Sequence, residues 1–539
     1  MSLQQILYVD LERRRVRRER LSPEDYRAVG GASLGVALLQ RCLHAGPAPP
    51  HEAESPWILS IGPLTGTPFS KSAQAVVTHI SPLTGGINDS VITHPLALTM
   101  AGTHTAAMVL SGRSEASTWL HLSDGGVKFE DASQLWGMEV GPAARLLEEA
   151  AGGPGLVAGP AAEHGVPYAS LGSPRHSAGR GGAGAALAAM NIKGLAGPAR
   201  SPHQPPRPLN RQAAQHSTRG EKAVRRLRLL NERHALPTRN FRERSFSRVE
   251  ELISDLSSRG KPPDLPYEAI FAFGPMLGVA QASIIRRAVA ACDRLGLDVV
   301  SAGGTIAWAL EAAEADLLKM PLPPSADSIE QLLECVARRD ASVELLSLGS
   351  REGSRRLGPP ADQWAMHVRG LELPGYDPRA LPSMALGYAI GSRGACHVRS
   401  GAYEPDLQDP LIEPPQAQDL AYRAATYEDR ATLLDSLILS RSTRGNLGDP
   451  FEAAARLLAE VGDHDLADPE ALRETTRKVA SDRRRINRLR GWTGAGDRLP
   501  GRLLEQDCGV STHLSSAGLR SWVSAYYRLR GWSAAGDPA

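Results

Sequence analysis

At 539 residues the chain is too long for a single hydrophobic core, and at roughly 100–200 residues per domain it is expected to form about three. Apolar residues make up 42% and charged residues 22%, an ordinary globular balance, and no run approaches the roughly 20 apolar residues that span a bilayer. The 61 basic residues nearly match 59 acidic ones, so a general nucleic-acid surface is not implied, and five scattered cysteines (Cys42, Cys292, Cys335, Cys396, Cys508) with no C-x2-C pair suggest neither a disulfide framework nor a zinc module.

The start, MSLQQILYVDLERRR, does not place a basic segment ahead of an apolar run as a secretory signal does, so a cytoplasmic location is expected. Residues 1–197 carry short β-like runs bounded by Gly and Pro: ILYVDL, WILSIG, AVVTHIS, AAMVLSG, STWLHLSD and GLVAGP. In Ser117 to Asp124, Leu120 and Leu122 share one face while Trp119, His121 and Ser123 share the other, the pattern of a half-buried strand. This region ends on the glycine-rich SAGRGGAGAALAAMNIKG. A Pro/Arg-rich linker and helix start follow at 198–225, read as a solvated linker leading into the amphipathic segment EKAVRRLRLLNER.

Helical periodicity then dominates. It predicts helices over Ala280 to Leu295 and Ser328 to Arg339 in a middle domain at 226–368, and over Tyr427 to Leu439 and Asp468 to Leu489 in a C-terminal domain at 369–539. An echo, RLRGWTGAGD at Arg488 to Asp497 and RLRGWSAAGD at Arg528 to Asp537, is expected to mark two helix ends, each stopped by Gly with Trp packing back.

Ten segments, in order, resemble the aldehyde:ferredoxin oxidoreductase (tungstopterin oxidoreductase) family along nearly the whole chain. They are GPLTGT (Gly62 to Thr67), SPLTGG (Ser81 to Gly86), EDASQLWG (Glu130 to Gly137), AGRGGAGA (Ala178 to Ala185), LPTRNF (Leu236 to Phe241), CDRLGLD (Cys292 to Asp298), LELPGYDPRA (Leu371 to Ala380), RGACH (Arg393 to His397), LLDS (Leu433 to Ser436) and YYRLRGW (Tyr526 to Trp532). The resemblance implies an α+β fold, with an N-terminal β-saddle domain followed by two mainly α-helical domains. It also implies a tungsten (or molybdenum) bis-pterin, and a reaction in which an aldehyde and water give a carboxylic acid while two electrons leave through a [4Fe-4S] cluster.

The same resemblance assigns site residues. Glu268 matches the family's pocket glutamate, and a carboxylate there would take a proton from water if burial raises its pKa; a helix-start glutamate is the bland alternative. His397 matches the pocket histidine, suited to hydrogen-bond a substrate oxygen, or else a satisfied core residue. Asp293, Leu297 and Asp298 of DRLGLD, with Asp435, match the two motifs that bind the pterins' amino-pyrimidine ends. Arg180 and the glycines Gly179, Gly181, Gly182 and Gly184 would cradle pterin phosphates, or simply form a tight turn. No side chain is assigned as a direct metal ligand.

The departures are as informative. INDSVITHP stands where relatives carry the Asn-Ser-Gly-Gly segment that helps hold a phosphate-bridging magnesium, and Gln74, His176 and Ser177 depart from the family at neighbouring positions. No cysteine follows Phe241 where the cluster's C-x2-C-x3-C belongs; the fourth ligand position is Ser440; Arg287 and Ala290 replace an iron-bridging Glu-x-x-His. Three readings stay open: a pterin-dependent oxidoreductase passing electrons to an external acceptor protein or small acceptor, a non-catalytic paralogue partnering an active enzyme, and a non-redox function in the same cavity. No nucleic-acid or membrane partner is expected.

Overall fold

Two six-stranded sheets account for the N-terminal β-like runs. The computed structural model describes residues 5–44, 55–67, 73–174, 176–201, 218–257, 263–320, 325–408, 416–439, 448–505 and 514–539. The first sheet holds β1 (Gln5–Asp10), β2 (Arg15–Arg20), β3 (Trp57–Ser60), β4 (Gln74–Ile80), β5 (Ile87–Thr93) and β6 (Thr105–Ser111), in the order β2-β1-β6-β3-β4-β5. The second holds β7 (Thr118–Ser123), β8 (Gly126–Asp131), β9 (Gly155–Ala158), β10 (Leu171–Ser173), β11 (His176–Ala178) and β12 (Ile192–Ala196), in the order β11-β10-β9-β12-β7-β8. Neighbours run antiparallel except β1 with β6 and β12 with β7. In β7 the expected alternation holds at Leu120 and Leu122, which are buried, against His121 and Ser123, which are partly exposed; Trp119 is buried as well.

The chain divides into two compact units, Met1–Gln215 with Asp429–Trp492, and His216–Glu428 with Thr493–Ala539. In the first, helix Gly31–His44 lays Leu34, Val36, Leu38 and Leu39 against Ile6, Ile58, Ile80 and Val109 of the first sheet. Val479 and Ile486, from helix Pro469–Leu489, enter the same core. Each such side chain withdrawn from water contributes about 1.5–3 kcal/mol, so this late helix is built into the N-terminal sheet. Gly31 is obligatory: its φ is +40° and a Cβ there would lie 2.3 Å from the carbonyl oxygen of Asp435.

The second unit is helical. Helix Arg219–Glu232 starts on a capping box between Thr218 and Glu221 and buries Ala223, Leu227 and Leu230, the amphipathic pattern expected of its sequence. Helix Ala282–Leu295 ends at Gly296, left-handed at φ +75°, and Asp298 opens helix Val299–Glu314 by accepting the Ser301 N–H at 2.9 Å. Helix Val299–Glu314 is buried nearly all round, which its small and apolar residues (VVSAGGTIAWAL) permit. Both copies of the RLRGW echo behave as expected. Gly491 (φ +83°) and Gly531 (φ +69°) stop their helices, and the Trp492 and Trp532 N–H groups turn back to the carbonyls of Asn487 and Tyr527.

Candidate functional site

Glu268 and His397, 129 positions apart in sequence, meet in the second unit with His397 Nε2 3.4 Å from Glu268 Oε1. Glu268 is the second residue of helix Tyr267–Phe273; His397 opens the short helix His397–Ser400, capped by Cys396, whose Sγ accepts the Arg399 N–H at 3.4 Å. Four further side chains enclose the pair. Tyr376 stacks on His397 with ring centroids 4.8 Å apart, Tyr403 lies 4.4 Å from Tyr376 and 5.8 Å from His397, and Tyr267 meets Tyr376 edge-on at 5.5 Å. Tyr267 is anchored by its hydroxyl to the Gly375 carbonyl. The guanidinium of Arg226 sits over the rings of Tyr403 and Tyr376 at 5.2 and 5.7 Å. The site is open at one point, where Glu268 keeps 37% of its side-chain surface accessible against 7% for His397.

The electrostatics correct one expectation. Burial alone would raise the Glu268 carboxyl, but the hydrogen bond and charge of His397, and then the charge of Arg226, outweigh it and hold Glu268 at about 2. It is an ionised carboxylate engaged by an imidazole, not a carboxyl poised near neutrality. Burial pushes the phenols of Tyr267 and Tyr376 up, so both stay protonated and face the site as neutral hydroxyls and rings.

Asp293 lies in the last turn of helix Ala282–Leu295, and Leu297 and Asp298 lie in the link to helix Val299–Glu314. Asp293 is exposed, Leu297 is fully buried, and Asp298 is the N-cap already described. In the first unit, Gly179, Arg180, Gly181 and Gly182 form the turn between β11 and helix Ala183–Ala189. A Cβ at Gly181 would lie 2.3 Å from Asn88 Oδ1, and one at Gly182 2.3 Å from the Pro167 carbonyl. The bareness of these glycines is thus consumed by packing against the protein itself, so contact with a phosphate would come from backbone N–H groups and Arg180. Asp435, 3% exposed, lies in the last turns of helix Ala417–Leu437.

The INDSVIT segment is β5, locked in place by its polar residues. Asp89 pairs with Arg483 at 2.6 Å, both side chains fully buried, and Arg483 also donates to Thr432 Oγ1 at 2.9 Å. Asn88 Nδ2 lies 3.0 Å from His79 Nε2, and Gln74 donates across the strand pair to Thr93 Oγ1 at 3.0 Å.

Ser440, Cys508 and linker residues 202–217 lie outside the described residues. Among the described ones, no group of three or more His, Cys, Asp or Glu is placed to hold a metal ion. Cys292 and Cys396 are buried free thiols, and burial raises Cys292 well above the usual thiol range. Arg287 spans Asp327 and Glu330 of the neighbouring helix as an exposed ion pair. Taken unit by unit, the residues suit parts of a pterin rather than a bare metal: the carboxylates of Asp293 and Asp298 in the second unit and of Asp435 in the first only accept hydrogen bonds, as amino-pyrimidine N–H groups require, and the Arg180 guanidinium in the first suits phosphate.

Sequence reasoning missed Arg226, Tyr376 and Tyr403 as site residues. Tyr376 lay inside a quoted motif, but the reading assigned it no role. Arg226 belongs to the segment expected to be an amphipathic helix, and only its position over two rings from residues 150 or more positions later reveals its place.

Sheets first and helices after define an α+β protein. Residues 6–197 match the family model of the aldehyde ferredoxin oxidoreductase N-terminal domain, and residues 257–539 that of domains 2 and 3. The chain belongs to the aldehyde ferredoxin oxidoreductase family. It is 26% identical to the tungsten-containing aldehyde ferredoxin oxidoreductase of Pyrococcus furiosus and 27% identical to that of Thermococcus kodakarensis, in each case over 94% of this chain and 92% of the relative. Its fold is similar to a chain of the active site complex BamBC of benzoyl coenzyme A reductase, solved with 1,5-dienoyl-CoA, at a TM-score of 0.79 and 18% identity over 100% of this chain and 96% of that one. No helix among the described residues is long and apolar enough to cross a membrane.

Proposed function

We propose that the chain is a tungsto- or molybdopterin-dependent oxidoreductase that converts an aldehyde and water to a carboxylic acid, releasing two protons and two electrons, the electrons passing to an external acceptor. The observation that carries this is the Glu268–His397 pair, closed in by Tyr267, Tyr376 and Tyr403 and open beside the Glu268 carboxylate. Arg180, the backbone of the Gly179–Gly182 turn, Asp293, Asp298 and Asp435 would hold the pterins, with Leu297 as apolar backing. The bound group would supply the two-electron redox chemistry. The protein's own part is proton handling. With His397 charged, Glu268 is too weak a base to keep a proton at neutral pH, so the basic unit is the pair with His397 in its neutral form: His397 takes the proton, and Glu268, opposite Nε2, stabilises the imidazolium that results. The tyrosine walls orient a flat or aliphatic aldehyde and exclude bulk water.

The cysteine-free stretch after Phe241 supports an electron exit that bypasses a resident iron–sulfur cluster. Metal, pterin and absorbance analysis of protein made in a pterin-competent host tests the reading. Near-stoichiometric tungsten or molybdenum is expected, without iron–sulfur absorbance. Less than about a tenth of a metal per chain would sink the oxidoreductase reading and leave the partner-paralogue one. Replacing Glu268 by Gln should lower dye-linked aldehyde oxidation by about 10²–10⁴-fold at unchanged metal content; retained activity would remove Glu268 from the mechanism.

A further inference from the structure

Arg226 is a charge in an unusual setting. The residue is half-buried, and the buried part of a guanidinium is ordinarily matched by a carboxylate or by hydrogen bonds, because an unmatched one is costly to bury. On the exposed surface nearby, Arg228 forks onto Glu250 at 2.8 and 2.7 Å, and Arg242 reaches Glu314 at 2.7 Å. Arg226 makes no hydrogen bond or ion pair among the described residues; its Nη1 is fully buried, and its contacts are the faces of Tyr403 and Tyr376. The carboxylate that acts on it, Glu268, is engaged by His397.

We infer that Arg226 is a specificity-determining residue that binds a carboxylate carried by the substrate, so that the preferred substrate is an aldehyde with a carboxylate at its far end. The chemistry is complementary at three points. The planar fork of arginine matches the two oxygens of a carboxylate. Tyr376 and Tyr403, whose rings adjoin both Arg226 and His397, form the aromatic wall along which the body between the two ends would lie. The Glu268–His397 pair meets the same Tyr376 ring, on which His397 stacks at 4.8 Å, and the aldehyde end would be placed beside that pair. This names a substrate class for the site proposed above and rests on that reading for the reaction, though the carboxylate binding itself can be measured without turnover.

The test is calorimetric titration of the full chain with benzoate and with benzamide, its uncharged counterpart. Benzoate is expected to bind at least tenfold more tightly than benzamide, and Arg226→Gln to abolish that difference. Equal affinity for the two ligands in the unaltered protein overturns the inference, and does so even if the variant fails to fold. Undiminished benzoate binding by a folded Arg226→Gln protein overturns it as well. In the metal-loaded protein, the ratio of kcat/KM for 4-carboxybenzaldehyde over its methyl ester should fall at least tenfold on Arg226→Gln; an unchanged ratio would mean that Arg226 serves only as a counter-charge to Glu268. The two readings fail separately. Absent metal with intact, Arg226-dependent benzoate binding sinks the redox reading alone, and brisk oxidation of neutral aldehydes with no benzoate preference sinks the carboxylate site alone.

Discussion

Replacing Asp89 by Asn removes the negative charge facing Arg483 while keeping the size of the side chain. Both partners of this 2.6 Å pair are fully buried, so the guanidinium loses this carboxylate in a place water does not reach. Breaking one side of such a pair destabilises by about 3–5 kcal/mol. If the roughly 280 residues of the first unit melt together, their unfolding entropy is about 0.6 kcal/mol per kelvin, and the loss corresponds to a fall in Tm of about 5–8 °C. Scanning calorimetry is the assay, with the double variant Asp89→Asn, Arg483→Met as control. Removing both charges together should recover most of the loss, because two neutral partners leave no stranded ion. A fall below about 1 °C in the single variant, or a double variant no better than the single, would show that the pair does not hold β5 to helix Pro469–Leu489.

Two further outcomes are expected. Burial raises the Asp406 carboxyl to about 6, against partial relief from Ser383, the Met384 N–H and Arg423, so the folded state favours the protonated form. The stability this group contributes is therefore full below pH 3.8 and lost as pH rises through 6. The advantage of Asp406→Asn over the unaltered protein in urea unfolding should shrink by about 2–3 kcal/mol between pH 7.5 and pH 4, and a pH-independent difference refutes the assignment. Asp298→Ala should cost about 1 kcal/mol in cofactor-free protein, because the cap on Ser301 is lost, whereas Asp298→Ser should retain most of it. Equal stability of the alanine and serine variants would show that the cap contributes little.

Six strands and the long helices were legible because their signals are local. Runs such as AVVTHIS and AAMVLSG carry β-branched and apolar residues between turn formers, and the 3.6-residue period of AQASIIRRAVAACDRL needs no partner to be seen. INDSVIT escaped because Asn88, Asp89 and Ser90 are polar and strand-poor by propensity; what makes them a strand is pairing with β4 and an arginine 394 positions away. The site was legible in part for the same reason. Glu268 and His397 were found from the motifs around them, but the direction of the Glu268 pKa depends on their meeting, which no single motif encodes. The DRLGLD motif illustrates a third case. Its Gly296 and Asp298 also have local roles as helix stop and helix start, so the motif carries a fold signal besides any binding one.

The first compact unit has its own consequence for how the chain is made. Its core is closed by Val479, Ile486 and Arg483, so the N-terminal sheet emerges from the ribosome with one face lacking its cover. At translation rates of about 5–20 residues per second, the 394 residues between Asp89 and Arg483 represent a wait of roughly 20–80 seconds. During that interval Leu34, Val36, Ile58 and Ile80 have no late helix to pack against, and a carboxylate in β5 awaits its counter-ion. A fragment ending at residue 215 would remain in that state indefinitely, which makes the nascent N-terminal sheet a natural client for holdase chaperones.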